Sequence, residues 1–154
     1  MIAEFEQRFA QVLGARLPAP FTGGVDVPPG QPAGSVPRLI LAVSEMTVIE
    51  PDFRSRRPEV VTGSPNPRRV VRLECTVTIE VRRAGNHSRV DQMQVLDAAL
   101  FALGDEQLLS GSALNDNTDR GFFIQAMRVT GAGAPLDTPT QGPVSINVVA
   151  RGLF

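Results

Sequence analysis

The side chains best suited to chemistry are few and scattered. His87, the only histidine, sits in Asn86-His87-Ser88 directly after Gly85. An imidazole in such a turn reads as a solvated surface group rather than a general base. Cys75, the only cysteine, lies between Leu73 and Val77 in an alternating apolar stretch. There a thiol serves as a small hydrophobe, because a nucleophilic thiolate needs an exposed, electropositive setting. One histidine and one cysteine cannot close a structural zinc site within one chain. They also exclude an internal disulfide, which fits a reducing compartment. Asn115, Asp116, Asn117 and Asp119 have the composition of a calcium loop but not its spacing. Counted from Asn115, the Gly and Glu positions of such a loop fall on Arg120 and Ala126. GAGAP at 131–135 is too sparse for a dinucleotide fingerprint, and no GxxxxGK[ST] occurs. No catalytic, metal-ligating or cofactor-binding residue is assigned, and the chain reads as a non-enzyme without cofactors.

Arginine is the remaining chemically distinctive type. All 15 basic residues are Arg, either from a GC-rich genome or from selection for rigid, bidentate contacts. Arg54, Arg56, Arg57, Arg68 and Arg69 cluster in a stretch with Phe53 as its one aromatic. Nucleic-acid modules interleave basic and aromatic residues, so this cluster fits an acidic protein surface better. The net charge of −1 draws the chain to neither nucleic acid nor membrane. No apolar run approaches the ~20 residues of a membrane helix. MIAEFEQRF, with two glutamates, is not a secretory signal.

The elements that would carry these residues follow from periodicity. Ile2, Phe5, Phe9, Val12, Leu13 and Leu17 recur at helical spacing, ended by Pro18 and Pro20. Residues 18–37 are rich in Pro and Gly and read as an extended loop. LILAV (39–43) and MTVIE (46–50) form either one bent strand or a short hairpin around Ser44 and Glu45. Residues 51–69, with four prolines, read as a second long loop. A helix opens near Ser88 with Asp91 completing an approximate capping box. Met93, Leu96, Leu100 and Leu103 mark its buried stripe, and Gly104 stops it. Residues 105–121 are polar and turn-rich. Strands at 122–130 and 144–154 complete a single α+β domain over 1–154, with two helices on one face of a mainly antiparallel sheet.

Residues 70–82, VVRLECTVTIEVR, stand apart. Every second residue from Val71 to Val81 is apolar, as on a half-buried strand. These thirteen residues would span roughly 40 Å, against about 5–6 residues for an ordinary strand. A strand that overhangs its own sheet leaves backbone groups unpaired and open to another chain. The expectation is therefore a strand shared between copies, with Arg72, Glu74, Glu80 and Arg82 as candidate inter-subunit residues. A long twisted hairpin arm in a monomer is the plainer alternative.

This order of elements resembles the tail-terminator proteins of long-tailed bacteriophages and their counterparts in contractile injection systems. The match rests on the helix IAEFEQRFAQVL, the long strand, the helix DQMQVLDAALFAL and the late strands FFIQAMRVT and VSINVVARGLF. The resemblance implies a homo-oligomeric ring, typically of six subunits, at the head-proximal end of the tail tube. Such a ring caps the last ring of tube protein, ends its polymerisation and joins the tail to a neck or connector protein. In contractile tails it also meets the last sheath ring. It implies no catalytic residues, DNA only as passing cargo, and residence in the virion after assembly in the host bacterial cytoplasm. The loops at 18–37 and 51–69 depart from the pattern. Alternatives are another ring component (connector, tail-completion or tube protein) or a small-ligand-binding α+β domain.

Overall fold

The computed structural model describes residues 1–49, 71–116, 121–134 and 144–154. Among these residues three helices and five strands follow the order α1 (Ile2–Arg16), β1 (Val25–Asp26), β2 (Arg38–Val48), β3 (Arg72–Arg82), α2 (Arg89–Leu103), α3 (Glu106–Leu109), β4 (Phe123–Gly133), β5 (Ser145–Leu153). They build an α+β domain around one mixed sheet, ordered β1-β2-β3-β5-β4. β1 runs parallel to β2, and every other neighbour pair is antiparallel.

The alternation of β3 does what the sequence pattern requires. Cys75, Val77, Ile79 and Val81 are buried, together with Leu39 and Leu41 of β2 and Ile146, Val148 and Ala150 of β5. These residues share one face because directly opposed residues in an antiparallel pair point the same way. α1 and α2 cover that face. α1 contributes Phe5, Phe9, Val12 and Leu13, and α2 contributes Val95, Leu96, Ala99 and Leu103. Phe5 sits at the hub, its ring 5.8 Å from that of Phe9 and 5.5 Å from those of Phe122 and Phe154.

The expectation of an overhanging strand is corrected here. β3 is flanked along its length by β2, from Arg38 opposite Arg82 to Val48 opposite Leu73. On its other side it meets β5, from Glu80 opposite Ser145 to Arg72 opposite Leu153. The reason is that β2, β3 and β4 are all 11 residues long and β5 is 9. β3 is not too long for its sheet; the whole sheet is tall. Its backbone offers no free edge to a second chain.

Several boundaries also move. The LILAV and MTV stretches form one bent strand, Arg38–Val48, rather than a hairpin, with a bulge between Val43 and Glu45. The expected extended loop 18–37 contains β1, held by Leu39 N–H donating to Gly24 O at 2.8 Å. The polar stretch 105–121 contains α3 and two fully buried leucines, Leu108 and Leu114. β4 runs on to Gly133, beyond the expected end of the strand at 130. In α2 the capping box is complete: Ser88 Oγ accepts from Asp91 N–H at 3.2 Å, and Asp91 Oδ2 accepts from Ser88 N–H at 2.7 Å. Its buried side is centred differently, with Val95, Ala98, Ala99 and Ala102 inside and Met93 and Leu100 partly buried. Small alanines let the helix lie close to the sheet.

Candidate functional site

The second face of the sheet carries no helix among the described residues, and the side chains singled out from β3 all lie on it. Arg72, Glu74, Glu80 and Arg82 alternate with the buried row of the same strand. The structure gives each of the last three its own surroundings. Glu74 pairs with Arg151 on the adjacent β5, Nε to Oε2 at 2.5 Å. Arg82 Nη1 donates to Pro29 O at 2.7 Å and so pins the loop that follows β1. Glu80 is exposed. Between these charged ends the face is polar and short-chained. Ser44 Oγ donates to Thr76 O at 3.2 Å, and the Thr78 hydroxyl donates to Ser44 Oγ at 2.9 Å and lies 3.2 Å from Asn147 Oδ1. Mixed signs on a hydrated, small-residue floor make a surface for reversible contact rather than a basic trap for phosphates.

Charge also fastens the sheet's β1 margin. Asp26 and Arg38 form a two-pronged pair, Nε to Oδ2 at 2.7 Å and Nη2 to Oδ1 at 2.8 Å. The Arg38 hydrogen bond holds the Asp26 carboxyl below its ordinary range, and the same bond raises the guanidinium. Fork-on-carboxylate geometry adds direction to the attraction. This explains how a two-residue strand in a Pro- and Gly-rich segment is kept in register.

The outer strands are where backbone groups run out of partners. Among the described residues their edges are guarded at one point each, by side chains standing in for a strand. On β2, Val43 N–H donates to Glu6 Oε1 of α1 at 2.7 Å. On β4, the Asn115 carboxamide takes both groups of Ile124, accepting from its N–H at 2.8 Å and donating to its C=O at 2.6 Å. Sequence reasoning placed Asn115 and Asp116 in a polar turn resembling a calcium loop. Asn115 is an edge guard, and Asp116 pairs with Arg8 Nη2 at 2.6 Å; Asn117 and Asp119 lie outside the described residues. No group of three or more potential metal ligands occurs among the described residues.

Beyond the guards, apolar side chains reach solvent. Met46 and Val48 on β2 are 55% and 48% exposed, and Val129 on β4 is 39% exposed. Phe101, on the outer side of α2, is 83% exposed. The sequence carries no local signal that the first two are uncovered. Met46 and Val48 reach the helix side only because the bulge between Val43 and Glu45 shifts the phase of β2, and the contiguous apolar run LILAV does not announce it.

The remaining sequence candidates separate cleanly. Cys75 is fully buried, and desolvation pushes its thiol up to about 11, so it is a core residue as its alternation predicted. His87 is partly buried and structural: Nδ1 accepts from Ala84 N–H at 2.9 Å and Nε2 meets Gly34 O at 2.9 Å. That tautomer ties the turn before α2 to the loop before β2. Arg54, Arg56, Arg57, Arg68 and Arg69 lie outside the described residues. No described helix is long and apolar enough to cross a membrane. Compared with known proteins, the chain matches no family model and no curated sequence.

Proposed function

We propose that this chain is a structural ring subunit of a long-tailed phage or related injection machine. In this reading the ring caps the head-proximal end of the tail tube. It ends polymerisation of the tube, and of the sheath where there is one, and presents its other side to a neck or connector protein. The observation that carries the reading is the incompleteness of the sheet's margins. Among the described residues, two outer strands, each guarded at a single residue, leave backbone groups and apolar side chains exposed on opposite sides of one sheet. A surface of that kind is completed by copies placed side by side, and unlike patches that meet head to tail close into rings. The element order of the chain supports the assignment to a tail terminator rather than to an unrelated ring.

The mechanism is templated capping. One side of the ring matches the growing end of the tube, while the other lacks the complementarity that would admit the next tube ring. The arginines at 54–69 are the candidate contacts to an acidic surface of the tube, sheath or neck partner. Bound in the virion at the tail–neck junction, the ring would let DNA pass without gripping it, which suits the mixed charges of the uncovered sheet face.

Electron microscopy of the purified chain, alone and added to polymerising tube protein, tests this directly. Single closed rings that arrest tube growth are expected. Stacks of indefinite length would mark a tube subunit instead, and monomers with no effect on growth would overturn the reading. Deleting 54–69 should leave rings intact but weaken their docking on the tube.

A further inference from the structure

We infer that neighbouring copies join by antiparallel pairing of two short edge windows, Glu45–Thr47 on β2 and Ala126–Arg128 on β4. The inference rests on the ring reading but not on what the ring caps. Bulges define both windows. The β2 register shifts between Val43 and Glu45, and the β4 register shifts between Ile124 and Ala126 and again between Val129 and Gly131. Regular strand is therefore available at the edge only beyond Ser44 on β2 and between Gln125 and Thr130 on β4.

Backbone direction then selects the pairing residues. Ile49 N–H donates inward to Arg72 O at 3.1 Å, so alternation turns the N–H and C=O of Val48 and Met46 outward. On β5, Phe154 and Val71 exchange both backbone hydrogen bonds. Alternation along β5 therefore aims Ala150 at β3 and leaves its β4 neighbour Met127 facing outward. Among the described residues, no hydrogen bond reaches these outward groups of Met46 or Met127.

The rows of the sheet bring the two windows to one level. Met46 lies opposite Cys75, Cys75 opposite Ala150, and Ala150 opposite Met127. The next row runs Glu45, Thr76, Val149, Arg128. Along the sheet order, the successive antiparallel pairs leave β2 and β4 running in opposite senses, so two copies in the same orientation meet antiparallel. In that register Met46 exchanges backbone bonds with Met127 of the neighbour. Glu45 stands beside the neighbour's Arg128 on the uncovered face, and Thr47 stands beside Ala126. Glu45 and Arg128 are both exposed and neither has an ion-pair partner among the described residues. On the helix side of the same junction the exposed Met46 stands opposite the neighbour's Met127, which is 6% exposed, with the exposed Val129 diagonal to it. Opposite charges on one face and apolar side chains on the other are what a directly opposed pair of strands needs. Because both windows occupy the same rows, repeating the junction adds no step along the strands. A repeat without a step closes into a ring rather than climbing into a filament.

Charge reversal tests the junction, read by sedimentation velocity on the whole chain with thermal melting to check the fold. Glu45→Arg or Arg128→Glu alone sets like charges opposite each other and should weaken association by about tenfold or more. Glu45→Arg combined with Arg128→Glu should restore it. Met46→Pro removes an outward donor without touching the β2–β3 ladder, and should abolish association while leaving the monomer folded. Wild-type rings that survive both single reversals and the proline would overturn this junction while leaving the ring reading intact. A wild-type chain that stays monomeric at every concentration would overturn both.

Discussion

The central strand and the outer strands of this sheet look alike in sequence and differ in what surrounds them. β3 and β2 are both 11 residues long, and each places apolar residues on its helix side, β3 by strict alternation and β2 through the run LILAV followed by Met46 and Val48. β3 lies between two full-length neighbours, and its inward row is covered by helices. Among the described residues β2 has a neighbour on one side only beyond Ile40, and past Val43 its helix-side residues Met46 and Val48 reach solvent. Length and apolar patterning therefore do not reveal an unfinished strand. What distinguishes the two is the accounting of backbone donors and acceptors, a non-local property set by strand order.

Substitutions at matched positions sharpen this contrast. The largest effect is expected at the aromatic hub, where Phe5 is fully buried against three other rings. Phe5→Ala should lower unfolding free energy by about 3–5 kcal/mol in urea titration. On the central strand, Ile79→Ala should lower it by about 2–5 kcal/mol. Met46→Ala, on the exposed end of β2, should stay within about 0.5 kcal/mol for the monomer. Equal losses at Ile79 and Met46 would erase the distinction between covered and uncovered strand. Next in size is the β4 guard. Asn115→Ala strips two partners from the backbone of Ile124 and should cost about 1–2 kcal/mol. The newly open edge should also increase self-association in light scattering.

The smallest effect is expected at the Asp26–Arg38 pair. Because Arg38 holds the Asp26 carboxyl below its ordinary value, the contribution is present above the unfolded carboxyl pKa of about 3.9. It is lost as pH falls through the lower folded value. Asp26→Asn should therefore cost about 0.5–1 kcal/mol at neutral pH, with the gap to wild type closing in strongly acidic solution. A gap independent of pH would mean that packing, not charge, holds β1 to β2.

How much of this was legible beforehand depended on whether the signal was local. The α1 stripe, the Ser88–Asp91 box and the alternation of β3 are written in consecutive residues, and each element formed where those residues place it. Cys75 followed from its neighbours Leu73 and Val77. β1 and α3 are too short to show a period, and each is held by contacts from far along the chain, Arg38 for β1 and core packing of Leu108 for α3. The position of β3 within the sheet was not legible, because strand order depends on which hairpins fold together. Hence the residues marked on β3 share the uncovered face, as alternation requires, but its backbone edges are taken. The exposed backbone lies on strands whose sequences gave no such warning. The guards Glu6 and Asn115 look like ordinary polar residues of a helix and a turn until the edges they cover are known.

Hydrogen–deuterium exchange, followed by peptide across a concentration series, tests the central claim most directly. In dilute, dissociated protein, the outward amides of Met46 and Met127 should exchange much faster than those of β3. On assembly both windows should slow together while β3, already protected, stays unchanged. Protection that appears instead along β3, or windows that exchange rapidly in the assembled state, would contradict the account.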